Sequence, residues 1–409
     1  MKLRFKRPLW LERARGSAGR RYPQLRRRLT VDVAVVGGGV TGAAVAWRFA
    51  AAGIRVAVLE AARVAGGSTA ASTALLMQEP DKDLAELQRK YGNRAARRSW
   101  QLSRLATREL VQALTRLGIR CELDRCRSVY YALTSRDAVR LRDEFQRRRA
   151  AGFPGRWLDD SAVARRVGFD ACGAIETPGN AQVDPVKACR GLMAAAKRLG
   201  AQIFENSHVM RIDHDDEGVT VKTRRGKVRA RCVVIATGYA TAEFRPLAGR
   251  FRMMHTYVIA TERLRAAAPR EIRPRSLMLW DTDRPYHYAR WTRDGRLLLG
   301  GADRPRMRGG RRREAINTGA QSLRAHFIDV FPALESVDIE YAWEGLFAMT
   351  ADGLPYIGPH RRYPKHLFAL GYGGNGMTFG FLASRLLLEQ YQGVRSRDHD
   401  LFAFGRTRR

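Results

Sequence analysis

The 409-residue chain is 45% hydrophobic and 28% charged, a balance that supports a full buried core and excludes a small stapled domain or a disordered tail. Its 74 Lys and Arg against 40 Asp and Glu leave a net +34, which raises nucleic acid, anionic lipid and acidic substrates as partners without choosing among them. No apolar run approaches the ~18 residues a bilayer span requires. The five cysteines, Cys121, Cys126, Cys172, Cys189 and Cys232, form no Cys-x-x-Cys pair, so a cytoplasmic protein with reduced thiols is expected.

Residues 1–28 carry eleven Lys or Arg against Glu12 alone. Residues 1–30 therefore read as a basic arm lying on an acidic face or a membrane surface rather than as a core element. Elsewhere the arginines are scattered through amphipathic segments, as at Arg94, Arg97, Arg98, Arg104 and Arg108, the pattern of a solvated face rather than of a nucleic-acid patch. Residues 31–36 are a β-branched run ending in three glycines. With helix over 40–52 and strand over 55–59 they make a unit that opens a parallel sheet.

Leucines at three- and four-residue intervals predict helix over much of 81–117, then strand over 121–133 and helix over 137–150. Asp184-Pro185 places an N-cap and a first-turn proline at the start of a helix that runs to Gly200. Short strands near 202–204, 209–212 and 219–222, a hairpin at Arg225-Gly226 and the apolar run 232–236 follow. Alternation from 253 to 301 predicts an antiparallel insert. Strands near 339–343 and 367–370, a glycine cluster at 371–376 and a helix over 377–391 complete the pattern. No His-x-x-x-His or Cys/His spacing indicates a metal site.

Gly37-x-Gly39-x-x-Gly42 sits between the first strand and helix. Its glycines permit a tight turn, close approach to a pyrophosphate and helix-on-strand packing. Glu60, at the end of the second strand, is placed to accept from ribose hydroxyls. Arg63 and Gly66-Gly67-Ser68-Thr69 form a second small-residue loop that could approach the pyrophosphate and flavin of a larger cofactor, which a plain NAD domain does not require; a flexible loop is the alternative. The expected fold is α/β with an α+β insert. A Rossmann-like FAD-binding domain is assembled from residues 31–80, 170–250 and 345–409, and an antiparallel-sheet substrate domain from 81–169 and 251–344.

Further blocks in order are Val183-Asp184-Pro185, Ala236-Thr237-Gly238, Trp343-Glu-Gly345 through Asp352-Gly-Leu-Pro355 to Gly358, and Gly371-Tyr-Gly-Gly-Asn-Gly-Met-Thr378. With the glycine fingerprint and the Ser68-Thr69 loop they resemble the D-amino-acid oxidase superfamily of FAD-dependent amine and amino-acid oxidoreductases, over about residues 31–391. The resemblance implies that FAD is held by Gly37, Gly39, Val40, Thr41, Gly42, Glu60, Ser68, Thr69 and Leu75, with adenine on the Val209 backbone. It places the flavin at Gly374, Asn375, Gly376, Met377 and Thr378. Ala70, Ala71 and Ser72 carry no imidazole, and Leu346, Phe347 and Ala348 no thiol, so non-covalent FAD is implied.

Glycine and D-amino-acid oxidases of this family hold the substrate carboxylate with an arginine in a Gly-Leu-Arg-Pro run. Here the run is Gly345-Leu346-Phe347-Ala348, and Phe347 leaves a carboxylate without its partner. The region 281–301 is similar to the gamma-glutamylputrescine oxidase branch. The expected reaction is oxidation of a primary or secondary amine by hydride transfer to flavin N5, giving an imine and then a carbonyl product. The acceptor of the electrons is O2 or another oxidant.

Tyr288 and Arg290 alternate on one strand and are expected to face the flavin with Phe347; Arg290 is a candidate cation for oxygen activation. His255, Tyr257 and His287 are weaker candidates. Three alternatives stand beside this reading: an amino-acid oxidase with a relocated arginine, an RNA-associated flavoprotein, and a flavin-binding scaffold.

Overall fold

The computed structural model describes residues 4–5, 7–14, 22–264, 272, 276–306 and 312–406. Lys2, Lys6, Arg15, Arg20 and Arg21 of the expected arm lie outside these residues. Among the described residues no helix is long and apolar enough to cross a membrane.

The glycine fingerprint opens a six-stranded sheet with the order Tyr356–His360, Tyr363–Leu370, Cys232–Gly238, Val33–Val36, Val56–Leu59, Gln202–Phe204. Only the first pair is antiparallel. Such a sheet needs both faces covered, and the alternation of side chains supplies two apolar faces. Val33, Val35, Val56, Val58 and Val234 share a core with Phe49, Leu192 and Leu386 of the helices Val40–Ala51, Pro185–Arg198 and Gly376–Tyr391. Ala34, Ala57, Val233 and Ile235 face the other way, against Val219, Val221 and Val228 of a four-stranded sheet. The Asp184 side chain caps its helix as expected, accepting from the amides of Val186 and Lys187, both at 3.0 Å.

A ten-stranded mixed sheet forms the other half. The expected antiparallel insert is its centre, with Arg252–Thr261, Leu297–Pro305, Tyr288–Trp291 and Leu277–Asp281 paired in turn. The helix Arg312–Val330, unread in the sequence, buries Ile316, Leu323 and Phe327 beneath it.

Two boundaries shift. Ala174–Gln182 pairs with Asp124–Tyr131 in this larger sheet, although residue 170 was expected to begin the second nucleotide-binding segment. The strand Ile339–Met349 runs unbroken through residue 345, because ladder pairing with Arg252–Thr261 continues to Met349.

The basic arm also needs correction: its described part contributes to the core at Leu9, Trp10, Tyr22 and Leu25, while Arg26, Arg27 and Arg28 are exposed and Arg13 pairs with Glu122 at 2.6 Å. Leu9 and Trp10 are buried in a short helix, Leu9–Arg13. Trp10 Nε1 donates to the Ser72 carbonyl at 2.8 Å. Arg28–Thr30 pairs in parallel with Lys227–Ala230, and Tyr22 and Leu25 are buried. Averaged charge hid these apolar anchors, each of which outweighs an exposed arginine in packing free energy.

Candidate active site

One cavity of about 540 Å³ runs between the two sheets. Its first wall is the glycine turn. Gly37 has φ +111°, and a Cβ there would lie 2.6 Å from the Ala236 carbonyl oxygen, so glycine is required. The helix Val40–Ala51 has no side-chain cap at Gly39. Val40 N donates to Thr69 Oγ1 at 3.0 Å; Thr41 lines the cavity, and the helix end offers donors and a positive dipole to an anion.

Glu60 accepts from the amides of Gly38 at 2.7 Å and Ala62 at 2.8 Å. Each carboxylate oxygen keeps a lone pair for a ribose hydroxyl. His208, Val209 and Met210 line the cavity close by, since Ser207 N donates to the Glu60 carbonyl at 2.8 Å.

The Ser68-Thr69 loop is tied to the Trp343 block. Ser68 Oγ donates to the Leu346 carbonyl at 2.9 Å and Trp343 Nε1 to the Ala71 carbonyl at 3.0 Å. Ser68, Thr69 and Leu75 all line the cavity, as does Phe347. The last helix, Gly376–Tyr391, likewise starts without a side-chain cap. Gly374, Asn375, Gly376 and Met377 bring that second N-terminus to the cavity. A helix start beside the glycine turn, a ribose acceptor at Glu60 and a second helix start on one cavity fit a dinucleotide whose central pyrophosphate meets the first helix start, with its adenosine ribose toward Glu60 and an electron-rich ring at the second helix start.

The larger sheet supplies the remaining wall: Thr256, Trp280, Tyr286, Tyr288 and Asp303. Tyr288 Oη lies 3.3 Å from Thr256 Oγ1, and Tyr286 Oη donates to Asp81 Oδ1 at 3.3 Å. Asp81 also accepts from the Gly374 amide at 2.6 Å and from Asn375 Nδ2 at 2.8 Å. Burial pushes the Asp81 carboxyl up to about 6 in spite of these bonds.

The profile of the DAO family, described as FAD dependent oxidoreductase, matches residues 32–390. The chain belongs to this family. Gamma-glutamylputrescine oxidoreductase of Escherichia coli (strain K12) is 30% identical over 387 residues, covering 93% of this chain and 88% of the relative. Glycine oxidase of Bacillus subtilis (strain 168) is 26% identical over 375 residues, 88% of this chain and 93% of that one. The crystal structure of glycine oxidase from Geobacillus kaustophilus superposes with a TM-score of 0.75 at 23% identity, covering 90% of this chain and 96% of that chain.

In this FAD-dependent oxidoreductase two expected cofactor residues stand behind the cavity wall. Gly42 faces the Gly37 carbonyl, where it permits helix-on-strand packing. Thr378 is fully buried and donates to the Met77 carbonyl at 2.9 Å.

Arg290 is a clearer correction. Its Nη1 donates to the carbonyls of Thr73 (2.9 Å), Ala74 (3.1 Å) and Val183 (2.9 Å), beneath the Trp10 ring at 5.4 Å. Burial pulls the guanidinium down to about 10. The side chain shares a face with Tyr288, as alternation requires, but two residues along a strand advance about 7 Å. That step carries Arg290 past the cavity, to clamp the loop that Ser68 and Thr69 begin.

Of the weaker candidates, His255 is set against Glu344 at 3.5 Å and Tyr257 packs in the core behind the sheet. His287 points away from the cavity. Its Nδ1 lies 3.0 Å from Asp281 Oδ2, which His326 Nε2 approaches at 3.1 Å. This Asp281–His287–His326 group has no sequence spacing to announce it, because His326 arrives on the helix Arg312–Val330. The two rings stack at 3.6 Å and 21°, and both imidazoles share one carboxylate oxygen.

Glu60→Ala is expected to raise the Kd for FAD at least ~10-fold, the weight of one charge-assisted hydrogen bond. Titration of apoprotein by quenching of FAD fluorescence checks it.

Proposed function

We propose that this chain oxidises the C–N bond of a primary or secondary amine that lacks an α-carboxylate, with FAD held non-covalently. The observation that carries the reading is the charge of the cavity. Among the described residues no Lys or Arg lines it, and Phe347 stands where the resemblance to amino-acid oxidases calls for arginine. A substrate carboxylate brought here would be desolvated beside Asp81 and Asp303 with no compensating cation, a strongly unfavourable arrangement. An amine meets the opposite conditions.

Bound FAD would accept the electron pair released when the amine becomes an imine, which water then hydrolyses to a carbonyl compound. The residues that would hold it are the glycine turn with Glu60 at the nucleotide end, Ser68, Thr69 and Leu75 along its length, and Gly374 to Met377 at the ring. The aromatic side chains Trp280, Tyr286, Tyr288 and Phe347 exclude water, which favours the neutral amine that the oxidation needs. No dedicated base is required for placement and desolvation of this kind.

Anaerobic mixing of the yellow holoenzyme with primary and secondary amines is expected to bleach the flavin band near 450 nm, whereas glycine, sarcosine and D-alanine leave it in place. Bleaching by the amino acids alone would overturn the reading. The relatives' names include both an amine and an amino acid as substrates, so the panel spans the family's range.

A further inference from the structure

Between the short helix Ser68–Ala71 and the strand Leu75–Leu76 the chain has no regular structure. Ser72, Thr73 and Leu75 line the cavity, and Ala74 among them holds φ +58°. A residue other than glycine keeps such a backbone conformation only where its surroundings fix it. The neighbouring backbone does little of that: among the described residues, backbone amides leave the carbonyls of Ser72 and Thr73 to side-chain donors.

Those donors come from three distant parts of the chain. Trp343 Nε1, on the larger sheet, donates to the Ala71 carbonyl at 3.0 Å, and Trp10 Nε1, on the N-terminal arm, donates to Ser72 at 2.8 Å. Arg290 Nη1, on the antiparallel insert, donates to Thr73 at 2.9 Å and Ala74 at 3.1 Å. None of the three side chains lines the cavity, so four consecutive carbonyls are turned to the far side of its wall.

Trp10 and Arg290 act as one unit. The buried Arg290 guanidinium bonds to carbonyls, and its carbon lies 5.4 Å from the centre of the Trp10 ring, a contact that strengthens when desolvated. Trp10 is itself shielded from solvent, and its short helix is tied down where Arg13 pairs with Glu122 at 2.6 Å. Loss of the indole N–H would strand the Ser72 carbonyl in the interior. Peptide dipoles freed in this way can turn their negative ends into the cavity, where they oppose an anionic, electron-rich cofactor.

We propose that Trp10 is a positioning residue for the cofactor: with Arg290 it holds the carbonyls of Ser72 to Ala74 off the cavity, so that docking of the N-terminal arm and binding of FAD are coupled. Such coupling is reciprocal. FAD strengthens the hold of the arm by the factor with which the docked arm strengthens FAD. The proposal concerns the cofactor and is independent of the substrate reading above.

Trp10→Phe keeps an aromatic ring on Arg290 and removes the donor. In the full chain it is expected to raise the Kd for FAD ~10-fold, the weight of one buried acceptor left unmet, measured by fluorescence quenching on apoprotein. A second measurement needs no variant. Amide hydrogen exchange over residues 7–14 of wild type is expected to slow at least ~5-fold when apoprotein is reconstituted with FAD, the low end of coupling between sites. Residues 7–14 do not line the cavity, so direct shielding by FAD does not produce that response.

A Trp10 that serves only the core would lower the urea midpoints of apoprotein and holoprotein alike and leave the Kd unchanged. An unchanged Kd in Trp10→Phe would overturn the proposal. So would exchange over residues 7–14 of wild type that is indifferent to FAD, a result that stands even where the variant fails to fold.

Discussion

Gly42→Ala is expected to purify without yellow colour and to bind added FAD at least ~100-fold more weakly, the loss of about two charge-assisted amide contacts. A Cβ at this position would lie 1.9 Å from the Gly37 carbonyl oxygen and 3.0 Å from its carbon. Both are backbone atoms of the turn itself, so no side chain can swing aside. The helix Val40–Ala51 has to lift off the turn, taking with it the amides at Val40 and Thr41 and the Thr69 hydroxyl bonded to Val40 N.

Gly42 does not line the cavity, yet it sets the position of the donors at the start of the helix Val40–Ala51. Absorbance at 450 nm per mole of protein reads the effect, and far-UV circular dichroism separates it from global unfolding. A yellow Gly42→Ala protein of normal affinity would show that the turn tolerates a displaced helix.

The nucleotide-binding half was legible because its determinants are local. A glycine spacing, a strand-ending acid and an N-cap beside a proline each act within a few residues, and the structure puts Gly37, Gly39, Glu60 and Asp184 where those rules place them. The wall built by the larger sheet was legible only in part. Alternation correctly put Tyr288 and Arg290 on one face, but period-two logic carries no information about depth along the strand. Tyr288 reached the cavity and Arg290 went to the carbonyls of Thr73, Ala74 and Val183.

Asp81 and Asp303 were missed for a related reason. They converge from segments more than two hundred residues apart in the chain, and no local spacing relates an acid at the head of a helical stretch to one in a strand of the insert. Charge density misled at the N-terminus, where Leu9 and Trp10 decide the placement of a segment that eleven cations dominate by count. The substrate reading thus depends on tertiary convergence, while the cofactor reading depends on motif.

Asp352→Asn is expected to destabilise the protein by about 3–5 kcal/mol, the range for leaving one partner of a buried ion pair alone. Asp352 lies in the turn that follows the strand carrying Phe347, with its side chain fully shielded from solvent. It accepts from Arg406 Nε at 2.7 Å, Arg406 Nη2 at 3.1 Å, the Leu354 amide at 3.2 Å and the Tyr91 hydroxyl. It therefore joins the helical segment Leu84–Arg116, at Tyr91 just before the break at Gly92, to the end of the sheet and the C-terminal tail at one point. Asparagine keeps the shape and removes the charge, so the Arg406 guanidinium, stacked over the Tyr356 ring at 4.0 Å, is left buried and unpaired.

The pH dependence follows from the same contacts. Burial alone would raise this carboxyl, but Arg406 and Tyr91 hold it at about 2, below its ordinary 3.8. A carboxyl held low in the folded state stabilises fully above its unfolded value and loses that contribution as pH falls from about 4 toward 2. At roughly 1.4 kcal/mol per pH unit this amounts to about 2 kcal/mol. Urea unfolding midpoints measured from pH 6 down to pH 3 are expected to fall less steeply in Asp352→Asn than in wild type, from a lower starting value. Parallel acid limbs for the two proteins would place the acid sensitivity elsewhere.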